Sequence, residues 1–305
     1  MKHNHLLSIS DLSGDEILSL IHDAVKLKKT IWSETLKDNS LAVLFEKQSA
    51  RTRVSFDLAM NQLGGHAIYL SQAEVGLGTR ESVPDVARVL GRYVNAIAAR
   101  TYSHHTIEVL AEYAGVPVIN ALSDCEHPCQ ALADLQTIYE KKATLKGITV
   151  AYIGDGNNIA TSLALASALT GMNFRIASPE GYSLTKEVIN QVDKYTPDSG
   201  AIITLTTSPE EAVTGADVVY TDVWASMGQE AEAKKRRKIF AKYQVDKKLM
   251  ALAKEDAIFM HDLPAHRGEE VTNEVIESIQ SVVFDQAENR LHAQKALLVK
   301  LLGNK

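Results

Sequence analysis

Only two of the 305 residues are cysteine, Cys125 and Cys129, so no disulfide framework is expected. Aromatic residues make up 6% of the chain and the formal net charge is −6. With a sequence pI near 5.9, that balance excludes a general nucleic-acid surface. No apolar run approaches the ~18–20 residues needed to span a bilayer. The polar start Met1-Lys2-His3-Asn4-His5 is unlike a signal peptide. A cytoplasmic protein with neither nucleic-acid nor membrane partners is therefore expected. Internal repeats and low-complexity tracts are also missing.

What is present is apolar content, 45% of residues, enough for one large domain or two ordinary ones. One basic run, Lys234-Lys235-Arg236-Arg237-Lys238, follows Glu230 and Glu232. It reads as the solvated face of a helix rather than a polyanion patch.

Short apolar runs alternate with longer helical patterns, which predicts α/β architecture with parallel sheets covered by helices on both faces. Expected strands in the first half are 41–46, 66–70, 95–100 and 117–122, with a helix over 127–142. In the second half they are 148–153, 174–177, 201–205, 217–221, 257–260 and 281–284, and a last helix runs over 288–302. The Lys-rich stretch Lys142 to Lys146 precedes a fresh strand at Gly147 and marks a domain boundary. Two doubly wound parallel-sheet domains with an active-site cleft between them are expected. In such sheets ligands sit beyond the carboxyl ends of strands.

The polar motifs fall at those ends. Ser49-Ala50-Arg51-Thr52-Arg53 lies where a buried strand runs into an amphipathic helix. Two arginines and two hydroxyls there join the free N–H groups and positive dipole of a helix N-terminus, which together favour an anion. His127-Pro128-Cys129-Gln130 opens another helix, with Pro128 at its first position. His127 and Gln130 project from one turn and can grip a carbonyl group. A rival arrangement has Cys125, His127 and Cys129 as metal ligands. It lacks the second Cys or His pair that zinc sites use, so no metal is expected.

Gly154-Asp155-Gly156-Asn157-Asn158 partly matches a dinucleotide fingerprint, but Ile159 replaces the last glycine and the next strand end is a poor ribose partner. Its two amides suggest a polar grip on a small ligand instead. Asp222, with Ser226 four residues on, suits an ammonium group. His261-Asp262 before Leu263-Pro264 offers either proton transfer or a chain cap.

Taken together, Phe45-Glu46-Lys47-x-Ser49-x-Arg51-Thr52-Arg53, His127-Pro128-x-Gln130, Gly154 to Asn158, Asp222-x-x-x-Ser226-Met227-Gly228, His261-x-Leu263-Pro264 and Ala287-Glu288-Asn289-Arg290 resemble the aspartate/ornithine carbamoyltransferase family. The motifs occur in the family's order over nearly the whole chain. The Ser226-Met227-Gly228 loop is what separates the ornithine-using branch from aspartate, acetylornithine and putrescine relatives. The resemblance implies a carbamoyl-phosphate domain (residues 1–142), an ornithine domain (143–286) and a terminal helix (287–305) packed back on the first.

It also implies which residues act. Ser49, Ala50, Arg51, Thr52 and Arg53 hold the phosphate, and Arg100, His127 and Gln130 hold the carbamoyl group. Asp262, Leu263 and Arg290 complete the carbamoyl-phosphate site. Asn158, Asp222, Ser226 and Met227 hold L-ornithine. Arg51, Arg100, His127 and Asp262 are the catalytic set, and no cofactor is needed. The usual assembly is a trimer or a multiple of trimers.

Two positions depart from the family's pattern. Asp262 stands where its ornithine enzymes carry cysteine. Gly76 replaces a polar residue in a loop that reaches a neighbouring subunit's site, for which Arg80 is a candidate substitute. Two alternatives stay open at this point: a carbamoyltransferase for another amine, and a non-catalytic anion-binding homologue.

Overall fold

The structure is a computed structural model and describes residues 4–225 and 230–303. The chain divides into two units. The first comprises Met1–Gln136 with Glu288–Lys305, and the second Thr137–Ala287.

The first unit holds four strands, β1 (Ser40–Phe45), β2 (His66–Ser71), β3 (Ala96–Arg100) and β4 (Val118–Leu122). They lie in the order β2-β1-β3-β4, every pairing parallel. From Leu41 to Phe45, from Ala96 to Ala99 and throughout β4 every residue is buried, the continuous apolar pattern of strands covered on both faces. The edge strand β2 alternates instead. From β1 the chain turns to one side to make β2 and then to the other to make β3, so the order reverses between β1 and β3. Their carboxyl ends, at Phe45 and Arg100, flank a topological switch point, where splayed connections leave a crevice. The β3–β4 register shifts between Ala99 and Arg100, and such an irregularity re-aims the strand's last side chain.

The second unit holds β5 (Thr149–Ile153), β6 (Asn173–Ala177), β7 (Ile203–Thr206), β8 (Val218–Thr221) and β9 (Ile258–Met260). The order is β7-β6-β5-β8-β9, again all parallel. The reversal falls between β5 and β8. There the Thr221 hydroxyl donates to the Ile153 carbonyl at 2.6 Å. Tyr152 and Tyr220 stack at 5.6 Å between centroids inside the sheet's core.

One expected strand does not form. Ser281 makes only an isolated bridge to Phe259, and Val283 already opens the terminal helix Val283–Leu302. Three consecutive apolar residues cannot distinguish period 2 from period 3.6. The helix therefore begins five residues before the expected Glu288. The basic run sits on the helix Ala233–Phe240 as expected, with one exception: Arg236 is buried while its basic neighbours are exposed.

Candidate active site

In the first unit Ser49 ends the loop after β1 and caps the helix Ala50–Gln62. Its hydroxyl accepts the Thr52 N–H at 3.4 Å and donates to the Thr52 hydroxyl at 3.0 Å. Thr52 is buried, while Arg51 and Arg53 are exposed on either side of it. The Arg53 guanidinium lies 4.0 Å over the Tyr69 ring. Stacking on an aromatic face orients the group and leaves its charge available. Across the switch point, half-buried Arg100 ends β3 and its carbonyl accepts the Glu46 N–H at 2.9 Å.

Arg290, buried in the terminal helix, ties this region together. It donates to the Gln130 side-chain oxygen at 2.8 Å, to the Thr52 hydroxyl at 2.7 Å and to His127 Nε2 at 2.9 Å. Gln130 in turn donates to Asp134 at 2.8 Å. An arginine has only donors, so His127 Nε2 must be the acceptor and the ring proton sits on Nδ1. Burial pushes the His127 pKa well below the ordinary histidine value, and the charges of Arg290 and then Arg100 add to the effect. The imidazole is neutral. Thr52, His127, Gln130 and Arg290 thus form one preorganised constellation, joined by sequence separations of up to 238 residues.

The metal arrangement is not built. Cys129 is buried and its thiol donates to the Asn120 carbonyl at 3.5 Å. Its pKa is pushed up to about 12 by burial, and that of exposed Cys125 to about 11, first by desolvation and then by Asp124. Among the described residues, Cys125, His127 and Cys129 are not one of the groups whose ligand atoms come within 4.8 Å of one another.

In the second unit the segment after β5 shows what its glycines serve. Gly154 has φ 145°, which side-chain-bearing residues rarely adopt. A Cβ on Gly156 would lie 2.4 Å from the Ser183 carbonyl carbon. The glycine admits the 182–184 backbone rather than a pyrophosphate. Asn157 caps the helix Asn158–Thr170, its oxygen accepting the N–H groups of Ile159 and Ala160 and the Tyr152 hydroxyl. Its amide donates to Asp222 at 2.7 Å and bridges the second switch point. Sequence reasoning assigned a ligand role to half-buried Asn158 and missed this role of Asn157. The paired amides at a strand end were the available signal.

Asp222 and Asp262 end β8 and β9. One ligand oxygen from each and a ring nitrogen of His261 lie within 4.8 Å of one another. His261 is fixed from both sides: Nδ1 accepts the Leu263 N–H at 2.9 Å, and Nε2 donates to buried Glu270 at 3.2 Å. Both ring nitrogens are thereby engaged, so this cluster is a poor metal cage despite its spacing. Leu263 has φ 59° and precedes a cis peptide bond to Pro264. This is a left-handed turn that holds Asp262 at the sheet end. Burial, and then the Asp262 charge, raise the Asp222 pKa well above the ordinary carboxylate value.

Arg236 is a further residue that sequence reasoning missed. Its Nη1 donates to Asp155 at 2.8 Å and to the Trp224 carbonyl at 3.0 Å, and the guanidinium lies 5.1 Å from the Tyr182 ring centroid. Ser226 and Met227 lie outside the described residues. Arg80 is exposed and its guanidinium donates to the Glu74 carbonyl of its own loop. The structure places Asp262 and Leu263 in the second unit and the other expected carbamoyl-phosphate residues, Arg290 included, in the first.

Two parallel sheets, one with arginines and hydroxyls beyond its strand ends and the other with acids and amides, place the chain in the α/β class with polar side chains gathered at both switch points. Residues 4–140 match the aspartate/ornithine carbamoyltransferase carbamoyl-P binding domain, and residues 146–301 match the Asp/Orn binding domain of the same family. The ornithine carbamoyltransferase of Pyrococcus abyssi is 53% identical over 309 residues, covering 99% of this chain and 97% of that protein. That of Anoxybacillus flavithermus is 53% identical over 306 residues, covering 99% and 98%. The structure of the Pyrococcus furiosus ornithine carbamoyltransferase superposes with a TM-score of 0.96 at 52% identity, covering 99% of this chain and 97% of that one. The chain belongs to the aspartate/ornithine carbamoyltransferase family. Among the described residues no helix is long and apolar enough to cross a membrane.

Proposed function

We propose that this protein transfers the carbamoyl group of carbamoyl phosphate to the δ-amine of L-ornithine, giving L-citrulline and phosphate. The observation that carries the reading is that both switch points of one chain end in complementary chemistry. One bears arginines, hydroxyls and a neutral histidine, and the other bears paired carboxyls beside an asparagine. They lie respectively within the matched carbamoyl-P and Asp/Orn binding domains.

In this reading the N-terminus of the Ala50 helix, with Ser49, Ala50, Arg51, Thr52 and Arg53, holds the phosphate together with Arg290. Arg100, His127 and Gln130 hold the carbamoyl group. Asn158 and Asp222, with Ser226 and Met227, hold ornithine. Asp262 and Leu263 complete the carbamoyl-phosphate site, with Asp262 in the catalytic set. The amine lone pair attacks the carbamoyl carbon, charge develops on the carbonyl oxygen, and phosphate leaves. Arg51, Arg100 and His127 are the groups proposed to stabilise that oxygen, and removal of one such preorganised donor costs about 3 kcal/mol in precedent. Holding the reactants in line and excluding water supply the rest.

Domains at residues 1–142 and 143–286, with 287–305 returning to the first, are part of the same reading. So are action in the cytoplasm, supported by two free thiols, and assembly as a trimer or a multiple of trimers. Exposed Val54 and Leu58 on the Ala50 helix support assembly, and light scattering of the eluting protein tests it.

The decisive test is citrulline formation from carbamoyl phosphate with L-ornithine, alongside L-aspartate, putrescine and N-acetyl-L-ornithine as acceptors. Turnover with ornithine alone is expected. Turnover with another acceptor alone, or with none, would overturn the reading.

A further inference from the structure

We propose that Glu270 is a positioning residue for carbamoyl transfer: its side chain clamps both ends of the loop 261–266 and so sets the turn that carries Asp262 and Leu263. This rests on the reading that those two residues complete the carbamoyl-phosphate site.

Glu270 starts from a fixed frame. Its carbonyl accepts the Val245 N–H at 2.8 Å, and the Thr272 N–H donates to the Val245 carbonyl at 3.1 Å. Val245 and Val271 are buried in the core of the second unit. The Glu270 side chain is itself fully buried, and taking a carboxyl out of water is costly unless its partners offset the loss. Those partners all come from one short loop. One oxygen, Oε1, accepts from His261 Nε2 at 3.2 Å and from the His266 backbone N–H. The other, Oε2, makes no hydrogen bond among the described residues and lies 3.8 Å from the His266 ring. Among the described residues the carboxyl therefore holds only the two ends of the segment from His261 to His266.

The loop needs such a tie. Leu263 has φ 59°, in the left-handed region that is unfavourable for a residue with a side chain. Its N–H donates to His261 Nδ1 at 2.9 Å. An imidazole nitrogen accepts only while it carries no proton, so the ring proton must stay on Nε2. An acceptor facing Nε2 selects that tautomer, and Glu270 is that acceptor. Without it, the tautomer protonated on Nδ1 would set one donor against another at Leu263. The His261 backbone is held separately. Its N–H donates to the Gln286 side-chain oxygen at 2.9 Å, and the Gln286 amide donates to the Tyr220 hydroxyl at 3.0 Å. The ring's own hydrogen bonds run to Glu270 and Leu263.

Glu270 thus acts through His261 and the loop backbone rather than on a substrate. Loss of the clamp displaces the turn without altering the residues proposed to hold phosphate, Ser49 to Arg53 and Arg290, which belong to the first unit. A misplacement of about 1 Å costs on the order of 100-fold in rate. The experiment is steady-state citrulline formation by the native protein, Glu270→Gln, Glu270→Leu and Glu270→Asp, with inorganic phosphate as inhibitor against carbamoyl phosphate.

Glu270→Gln keeps the shared acceptor oxygen and should stay within about threefold of native in kcat/KM for carbamoyl phosphate. Glu270→Leu, of similar size but without an acceptor, should lose about 100-fold in that ratio, mostly through kcat. Its inhibition constant for inorganic phosphate should stay within about twofold of native. Glu270→Asp withdraws the oxygen by one methylene and should lose about tenfold at an unchanged phosphate constant. It carries the test if Glu270→Leu does not fold.

Three results overturn the proposal. One is Glu270→Leu, or Glu270→Asp in its place, within about threefold of native. Another is Glu270→Gln as impaired as Glu270→Leu, because the acceptor is then not what matters. The third is a phosphate constant that weakens in step with kcat/KM, the mark of a general loss of structure. A native protein that makes no citrulline overturns the functional reading, and this proposal with it.

Discussion

Replacing Arg290 by leucine removes the donor to Thr52, His127 and Gln130 at once. A hydrogen bond to a charged group contributes about 1.5–3 kcal/mol, so three set an upper bound of roughly 9 kcal/mol. Against this stands the cost of burying the guanidinium, several kcal/mol, which the substitution returns. Ser49 continues to donate to the Thr52 hydroxyl, so that oxygen is not orphaned. The Gln130 oxygen and His127 Nε2 lose their donor. The expected net loss is about 2–4 kcal/mol, a fall in Tm of roughly 3–6 °C. Arg290→Lys keeps the charge but cannot span three acceptors and should lie between the two. Kinetically, Arg290→Leu should lower kcat/KM for carbamoyl phosphate by at least about 100-fold. Thermal unfolding and initial-rate assays read both. A Tm change under about 2 °C, or a loss in kcat/KM under about tenfold, would refute the view that Arg290 organises this site.

Other perturbations have defined outcomes. Arg236→Met leaves Asp155 without its buried partner and should cost about 3–5 kcal/mol. The double variant with Asp155→Leu should recover part of that stability in denaturant unfolding, while the ornithine KM stays raised and the carbamoyl-phosphate KM does not move. His127 resists protonation when folded, whereas the unfolded chain takes up that proton near pH 6.5. Stability therefore falls as pH drops below about 6.5, by up to roughly 1.4 kcal/mol per unit, and His127→Gln should flatten that slope. Asp222 has the opposite sign. Its pKa is raised on folding, so its unfavourable contribution grows as pH climbs above the ordinary carboxylate value. Asp222→Asn should raise Tm at neutral pH while abolishing ornithine saturation. Gly156→Ala forces a Cβ against the Ser183 backbone and should cost about 1–3 kcal/mol, read as a lowered denaturation midpoint.

Much of this architecture was legible in the chain. Parallel strands buried on both faces carry continuous apolar runs, and the interior strands from Leu41 to Phe45 and from Thr149 to Ile153 were recognisable for that reason. Ser49 and its arginines declared themselves because helix caps have a short-range code. The run at Val282 failed because three apolar residues fit either periodicity. Long-range partners were beyond reach. Nothing local tells that Arg290 meets Thr52, or that Arg236 alone among five basic neighbours turns inward to Asp155. Those pairings are set by the sheet order and by how helices return to it, which a single sequence does not encode in any window.

The terminal helix carries a temporal consequence. The first unit loses the chain at Gln136 and regains it at Glu288, two residues before Arg290. During synthesis the Ala50 helix and His127 emerge early, but the donor that joins them follows the whole segment of the second unit. The second unit's full segment, by contrast, has emerged before Arg290 does. Domains generally form in the order they emerge. Here the earlier-begun unit must wait for the later one to be made before its constellation closes. A nascent or truncated chain ending before Glu288 would have its cradle side chains in sequence but not in register with one another. The constellation of Thr52, His127, Gln130 and Arg290 is thus completed only after the whole segment of the second unit has been made.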